Sequence, residues 1–437
     1  MSAQYNTDTY ALRGVSSVKE AVSNAAKSVG EDKGLFPGAF CKILPYSPLN
    51  WFEAIINYFS PSVKIPHSDG AGTKSSLAYI YWRETGDASV FKGIVQDSIV
   101  MNLDDILCVG GILGNSYLMS SIDRNSFRIP DEILPILFQA DYDFRKKMAG
   151  YGIKIYGGVG ETADVADTVR TLVINNSMLT RMKKKHVIDN SNISEGDYIV
   201  GLSSSGQAIY EDEYNGGMGS NGLTNARHDV LHSEYRTKYP ESFEPELLEK
   251  NLVYNGTRRL TDVVCQNGFI EPNGKDKLLG RQPEFSTTIG KLILSPTRTY
   301  APIMMEVFRQ IGTKRINGIV HCSGGGQRKI LKSLPYGLIA DKHSPCEIPY
   351  LFRLIQNESN LSWEKMYQTF NMGWRLEICV PRFTDAYKII DIANDFNVGA
   401  SVVGEIRKSK NPNEKSVKIA NCLSENRCIT YSETRQR

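Results

Sequence analysis

Apolar positions along this chain switch repeatedly between a period of two and a period near three and a half. In the first half, VKIPHSD (63–69), SVFKGI (89–94), NSYLMSSI (115–122), IKIYGG (153–158) and the stretch 169–182 predict strands, while 97–109 and 131–150 predict helices. The polar, turn-rich KKKHVIDNSNISEGD follows. Beyond it, DYIVGLSSSG, KLILS, GIVHCS, LEICV and SVVGEI predict strands and 299–311, 362–369 and 384–397 predict helices. Mixed strands and helices of this kind imply an α+β or α/β protein of two domains, 1–182 and 183–437, with 233–288, polar and irregular, read as an insertion.

Within 97–109, Ile99, Leu103 and Ile106 share one helical face, and Asp97, Asp104 and Asp105 lie on another. Asp97 and Asp105 stand two turns apart, so they need not share an ion. HSDGAGTKSS (67–76) surrounds one lysine with small residues that let a backbone approach phosphate oxygens. It is not a P-loop, because Thr73 separates Gly72 from Lys74. Asp69 inside the loop would repel polyphosphate unless a divalent cation stands between them, so the stretch predicts metal with phosphate. Glu161 follows Gly157, Gly158 and Gly160, a spacing that suits a close backbone approach to an ion or nucleotide. SSSG (203–206), SNG (220–222) and CSGGG (322–326) each offer backbone N–H groups and hydroxyls. The last sits between a strand and the helical RKILKSL, which places a glycine turn at a helix N-terminus. For His321, at a strand end, a structural role is the commoner one.

Composition removes several classes of function. The 51 basic and 48 acidic residues nearly balance, which leaves no case for nucleic acid, and the one dense basic run, RMKKKH, reads as a solvated face. The 8 cysteines are scattered without a C-x-x-C pair, so neither zinc nor a disulfide framework is indicated and a reducing cytoplasm is expected. The N-terminus has no apolar signal region, and no apolar run is long enough to span a membrane.

Taken in order, DGAGTK, the D…DD helix, GETAD, SSG, SNG, PTR, H-x-SGGG and MY-x-TFN-x-G resemble the aminoimidazole ribonucleotide synthetase (phosphoribosylformylglycinamidine cyclo-ligase) family, from about Tyr10 to Lys408. The resemblance implies an N-terminal domain that pairs in a homodimer to form an intersubunit β-barrel, ATP in a glycine-rich cleft between subunits, and a C-terminal α/β sandwich domain. It implies ATP and Mg²⁺ as cofactors, with Asp69, Asp105 and Glu161 on the metal and Gly70, Gly72, Thr73, Lys74 and Asp104 at the nucleotide. Ser323, Gly324, Gly325 and Gly326 would take the substrate phosphate, and Asp97 and His321 would position groups or move protons. Val159 stands where the family has a further glycine, and Lys33, Gly34 and PGAFCKILP (37–45) resemble a thinned glycine-rich lid. The long segment 207–219 between SSG and SNG departs from the common form and reads as a second insertion. Rival readings are an amidotransferring or selenophosphate-forming relative and a non-catalytic nucleotide-binding protein. No glutaminase motif occurs, Cys41 lies beyond the glycine loop, and the retained acids and lysine argue for catalysis.

Overall fold

The computed structural model describes residues 34–45, 61–158, 160–265, 268–269, 286–420 and 428–435. Lys33, Val159 and Tyr10 lie outside the described residues.

The first sheet runs β1 (Leu44–Pro45), β2 (Ser62–Gly70), β6 (Leu172–Lys183), β3 (Asn115–Arg124) and β4 (Lys154–Gly157), with β5 (Glu161–Asp164) also paired to β3. The longest of these strands, β6, alternates strictly. In β6, Leu172, Ile174, Asn176, Met178, Thr180 and Met182 are buried, and the residues between them are half-buried or exposed. The buried face packs on helix α2 (Val90–Leu107), flanked by α1 (Lys74–Thr85) and α3 (Leu134–Gly150). The opposite face carries Tyr117, Met119 and Tyr156, all between 41% and 49% exposed, with the two tyrosine rings stacked at 5.7 Å.

The second sheet has seven strands in the order β11 (Gly318–His321), β13 (Trp374–Val380), β7 (Tyr198–Ser203), β14 (Ala400–Lys408), β12 (Leu338–Lys342), β15 (Glu414–Ala420) and β16 (Cys428–Thr434). All neighbours are antiparallel except β12 and β15. Buried residues occupy every position of β13. Around the two sheets lie α4 (Leu223–Val230), α5 (Ile289–Leu294), α6 (Ala301–Gln310), α7 (Tyr350–Ser359), α8 (Trp363–Thr369) and α9 (Phe383–Asp395).

Two predicted strands are helical. SVFKGI enters α2, which is buried on nearly every side, so no single apolar stripe marks its period. KLILS lies in α5, started by Thr288, whose hydroxyl accepts from the Lys291 amide at 3.2 Å. A short apolar run cannot distinguish a buried helix from a strand. The segment read as an irregular insertion is, from 233 to 264, packed: Tyr235, Tyr239, Phe243 and Tyr254 are buried, and Tyr79 of α1 donates to Glu241 at 2.5 Å. Residues 266–267 and 270–285 of that segment lie outside the described residues. A further three-stranded sheet, β8 (Val263–Cys265), β9 (Gly268–Phe269) and β10 (Ser286–Thr288), completes the fold.

Candidate functional site

Gly70 is the last residue of β2, and a side chain there would collide with Asn175 and the Ile174 carbonyl. Gly72 takes a left-handed φ of +63°, and nothing lies within 4 Å of where its Cβ would be. Thr73 then leads into α1 without capping it. Among the described residues the amides of Gly72, Thr73, Lys74 and Ser75 have no hydrogen-bond partner, so this turn is an open anion cradle. The exposed carboxylate of Asp69 borders it, accepting from the Gly70 amide at 2.7 Å.

Lys74 does not face that cradle. Its side chain is wholly buried, with Nζ 3.0 and 2.9 Å from the two oxygens of Asp97 and 2.6 Å from the Ser295 carbonyl. Asp97 also accepts from the amide and hydroxyl of Thr297, at 2.7 and 2.6 Å. Both residues therefore tie α1 and α2 to the 295–300 segment, and contact with nucleotide phosphates by Lys74 would require breaking the pair. Asp104 is likewise buried: Thr299 donates to it at 2.6 Å and the Tyr300 amide at 3.2 Å. Burial pushes its carboxyl pKa up, against the opposing pull of His321 and those donors. This face of α2 thus joins the two halves of the chain.

Asp105 points elsewhere and gathers two histidines. His321 Nδ1 lies 2.6 Å from one carboxylate oxygen and His67 Nε2 3.3 Å from the other. Nδ1 of His67 is 2.9 Å from Asn102 Oδ1. Burial raises the Asp105 carboxyl, but the hydrogen bonds of His321 and His67 overcome it and hold the group well below the usual carboxylate range. Burial pulls His67 down, and Asp105 and Asn102 push it above its ordinary value. His321 is fully buried, and among the described residues its Nε2 has no partner, so with Nδ1–H given to Asp105 this nitrogen is a free acceptor. The Cys41 thiol donates to the Asp105 carbonyl at 3.0 Å. Burial first and the Asp105 charge second push its pKa well up, which makes it a poor nucleophile.

The three carboxylates expected on one metal are not gathered. Glu161 pairs in register with Ser121, Ser121 with Asn175 and Asn175 with Gly70, so it lies three strands from β2, about 14 Å at ordinary strand spacing. It also falls on the sheet face opposite Asp69, whose register partners Asn176 and Ser120 turn inward. Among the described residues no cluster of three His, Cys, Asp or Glu side chains is arranged to hold an ion.

The glycine motifs separate as well. In SSSG the amides of Ser204, Ser205 and Gly206 are taken by Gly373, Ser203 and Asn215, so this turn offers no free amide donors. In SNG the amides of Ser220, Asn221, Gly222 and Leu223 have no partner among the described residues, and they open α4. Gly324, Gly325 and Gly326 all have positive φ, at 44°, 126° and 54°, a backbone only glycine adopts freely. The helix that follows them is a 3-10 segment, Gly326–Lys332. Arg375, which no motif singled out, is buried beside SNG.

No protein-family model matches the chain. It is similar to curated proteins named phosphoribosylformylglycinamidine cyclo-ligase. The one from Methanococcus maripaludis is 27% identical over 345 residues, 78% of this chain and 77% of the relative. The one from Alkaliphilus metalliredigens is 26% identical over 406 residues, 91% of this chain and 92% of the relative. The expected resemblance to that family is borne out by these relatives. Among solved structures, a chain of the HypE-HypF complex aligns with a TM-score of 0.48 and 12% identity over 97% of this chain and 99% of that one. T. maritima PurL complexed with FGAR aligns with a TM-score of 0.45 and 12% identity, over 84% of this chain and 44% of that one. No helix among the described residues is long and apolar enough to cross a membrane.

Proposed function

We propose that the chain is an ATP-dependent cyclo-ligase that closes formylglycinamidine ribonucleotide to aminoimidazole ribonucleotide, with release of ADP and phosphate. The observation that carries this reading is the open cradle of amides at Gly72–Ser75 with the Asp69 carboxylate on its rim, an arrangement that suits a phosphate–cation ligand. ATP supplies the activation, converting the formyl oxygen into a phosphate leaving group that an internal amine displaces.

The chain's own groups bind, orient and hold protons. Amides at 72–75 would meet nucleotide phosphates, and the turn Ser323–Gly326 would take the 5′-phosphate of the ribonucleotide. His321 Nε2 would accept the proton lost by the attacking amine, with Asp105 fixing the ring and stabilising the imidazolium. Lys74, Asp97 and Asp104 are positioning residues that hold the floor. Of the expected metal ligands, Asp69 fits Mg²⁺, since such an ion takes one or two carboxylates together with substrate phosphates. Asp105 is engaged by two histidines, and Glu161 could contribute only from the partner copy of a homodimer formed through the exposed Tyr117–Tyr156 face.

The test is to incubate the purified protein with ATP, Mg²⁺ and formylglycinamidine ribonucleotide and assay the aminoimidazole by diazotisation. Absence of product, with ATP consumed on another small acceptor, would overturn the proposal.

A further inference from the structure

Thr73 Oγ1, at the start of α1, lies 3.0 Å from Thr224 Oγ1, in the first turn of α4. Two helix N-termini from opposite halves of the chain therefore meet. Neither has a side-chain cap, and the four amides leading into each are unpartnered among the described residues.

Beside the turn that leads into α4 lies Arg375. Its side chain is buried, the whole residue being 2% exposed, and Nη2 donates to the Arg298 carbonyl. The guanidinium carbon stands 5.5 Å from the centre of the Tyr300 ring. Nε and Nη1 have no partner among the described residues. Nη1 points at the turn before α4: a Cβ on Gly219 would come within 3.0 Å of it. A buried guanidinium with unused donors is costly to maintain unless an anion uses them at some stage of the protein's cycle. The nearby cation is already committed, since Lys74 is held by Asp97. Burial pulls the Lys74 ammonium pKa down; Asp97 opposes this, and the positive charge of Arg375 adds to the fall.

We infer that the junction of the two helix N-termini is an oxyanion site for a terminal phosphate of a polyphosphate, with Arg375 as its charge-stabilising residue. Amides from both halves supply directional donors, and Arg375 supplies the full positive charge that the cradle otherwise lacks. Glycine at 219 is the feature that lets the guanidinium reach the turn. This inference deepens the reading given under Proposed function, on which it rests for the class of ligand, but it concerns binding of the phosphate chain and not ring closure.

The test uses the full chain and inorganic triphosphate with Mg²⁺ as probe, measured by calorimetry, with adenosine as the phosphate-free control. Arg375→Met should weaken triphosphate binding roughly tenfold to a hundredfold, the loss of hydrogen bonds to a charged group. Arg375→Lys should recover part of it, and adenosine binding should be unchanged. Gly219→Ala, which keeps the arginine but sets a Cβ 3.0 Å from its Nη1 at a backbone φ of +69°, serves if the buried substitution does not fold, and should weaken triphosphate alone. Folded Arg375→Met or Gly219→Ala protein with wild-type triphosphate affinity would overturn the inference, as would equal loss of adenosine. Failure of the cyclisation assay with these binding differences intact would refute the proposed reaction and leave this site standing.

Discussion

Replacing Lys74 with methionine separates a structural lysine from a phosphate-binding one. The ammonium and the Asp97 carboxylate are both inaccessible to solvent and lie 2.9 Å apart at closest approach. Methionine fills most of the volume, so the cost comes from leaving a carboxylate buried with only Thr297 as donor. Breaking a buried pair by removing one partner costs about 3–5 kcal/mol. The Ser295 carbonyl, which loses its 2.6 Å donor, adds no more than about 1–3 kcal/mol, and the two are not additive because one ammonium serves both. Lys74→Met should therefore lower the unfolding free energy in urea by roughly 3 kcal/mol or more. Asp97→Asn combined with Lys74→Met should cost less than the sum of the two single changes, because no charge is then left unpaired. Calorimetric titration with a non-hydrolysable ATP analogue, below the unfolding transition, gives the second readout. A Lys74→Met protein that keeps its stability to within about 1 kcal/mol and loses nucleotide affinity would refute the structural assignment, because a broken buried pair cannot be so cheap.

Other consequences follow from the same geometry. His67 has a pKa raised above its ordinary 6.5 by Asp105 and Asn102 against the effect of burial, so its stabilisation is fully present below that value and fades as pH rises through the folded pKa. The stability gap between wild type and His67→Gln should accordingly be larger at pH 6 than at pH 9, and a gap that widens with pH would contradict the pairing. Tyr117→Glu with Tyr156→Glu places charge on the exposed sheet face and should convert a dimer to a monomer in sedimentation velocity; a monomeric wild type at micromolar concentration would remove the dimer from the proposal. Gly325→Val would put a Cβ 3.8 Å from Lys329 Cδ, an ordinary contact, but must adopt a φ of +126°, so it should weaken ribonucleotide binding about tenfold or more while sparing ATP. The reverse pattern would mean that the two phosphate sites are exchanged. His321→Asn should depress turnover at least about a hundredfold with little change in ATP affinity, and wild-type turnover would exclude it as the proton acceptor.

The sequence by itself carried the ordered motifs, and with them the resemblance to cyclo-ligases, because glycine turns and carboxylates are local features that survive divergence. It also marked β2, β3, β6 and β13, whose apolar residues alternate or run unbroken over a strand's length. Direction was not legible. Asp97, Asp104 and Asp105 are neighbours on α2, yet one binds Lys74, one Thr299 and one the two histidines, because that helix is enclosed on nearly every side and each position meets a different neighbour. The separation of Glu161 from Asp69 depends on strand order, which no local pattern encodes. Arg375 gave no signal at all: an arginine within an apolar strand shows its unused donors only after β13 is placed against the turn before α4. Local propensity and spacing set which groups exist, while the long-range packing that buries them decides which ones face each other and which are left free for a ligand.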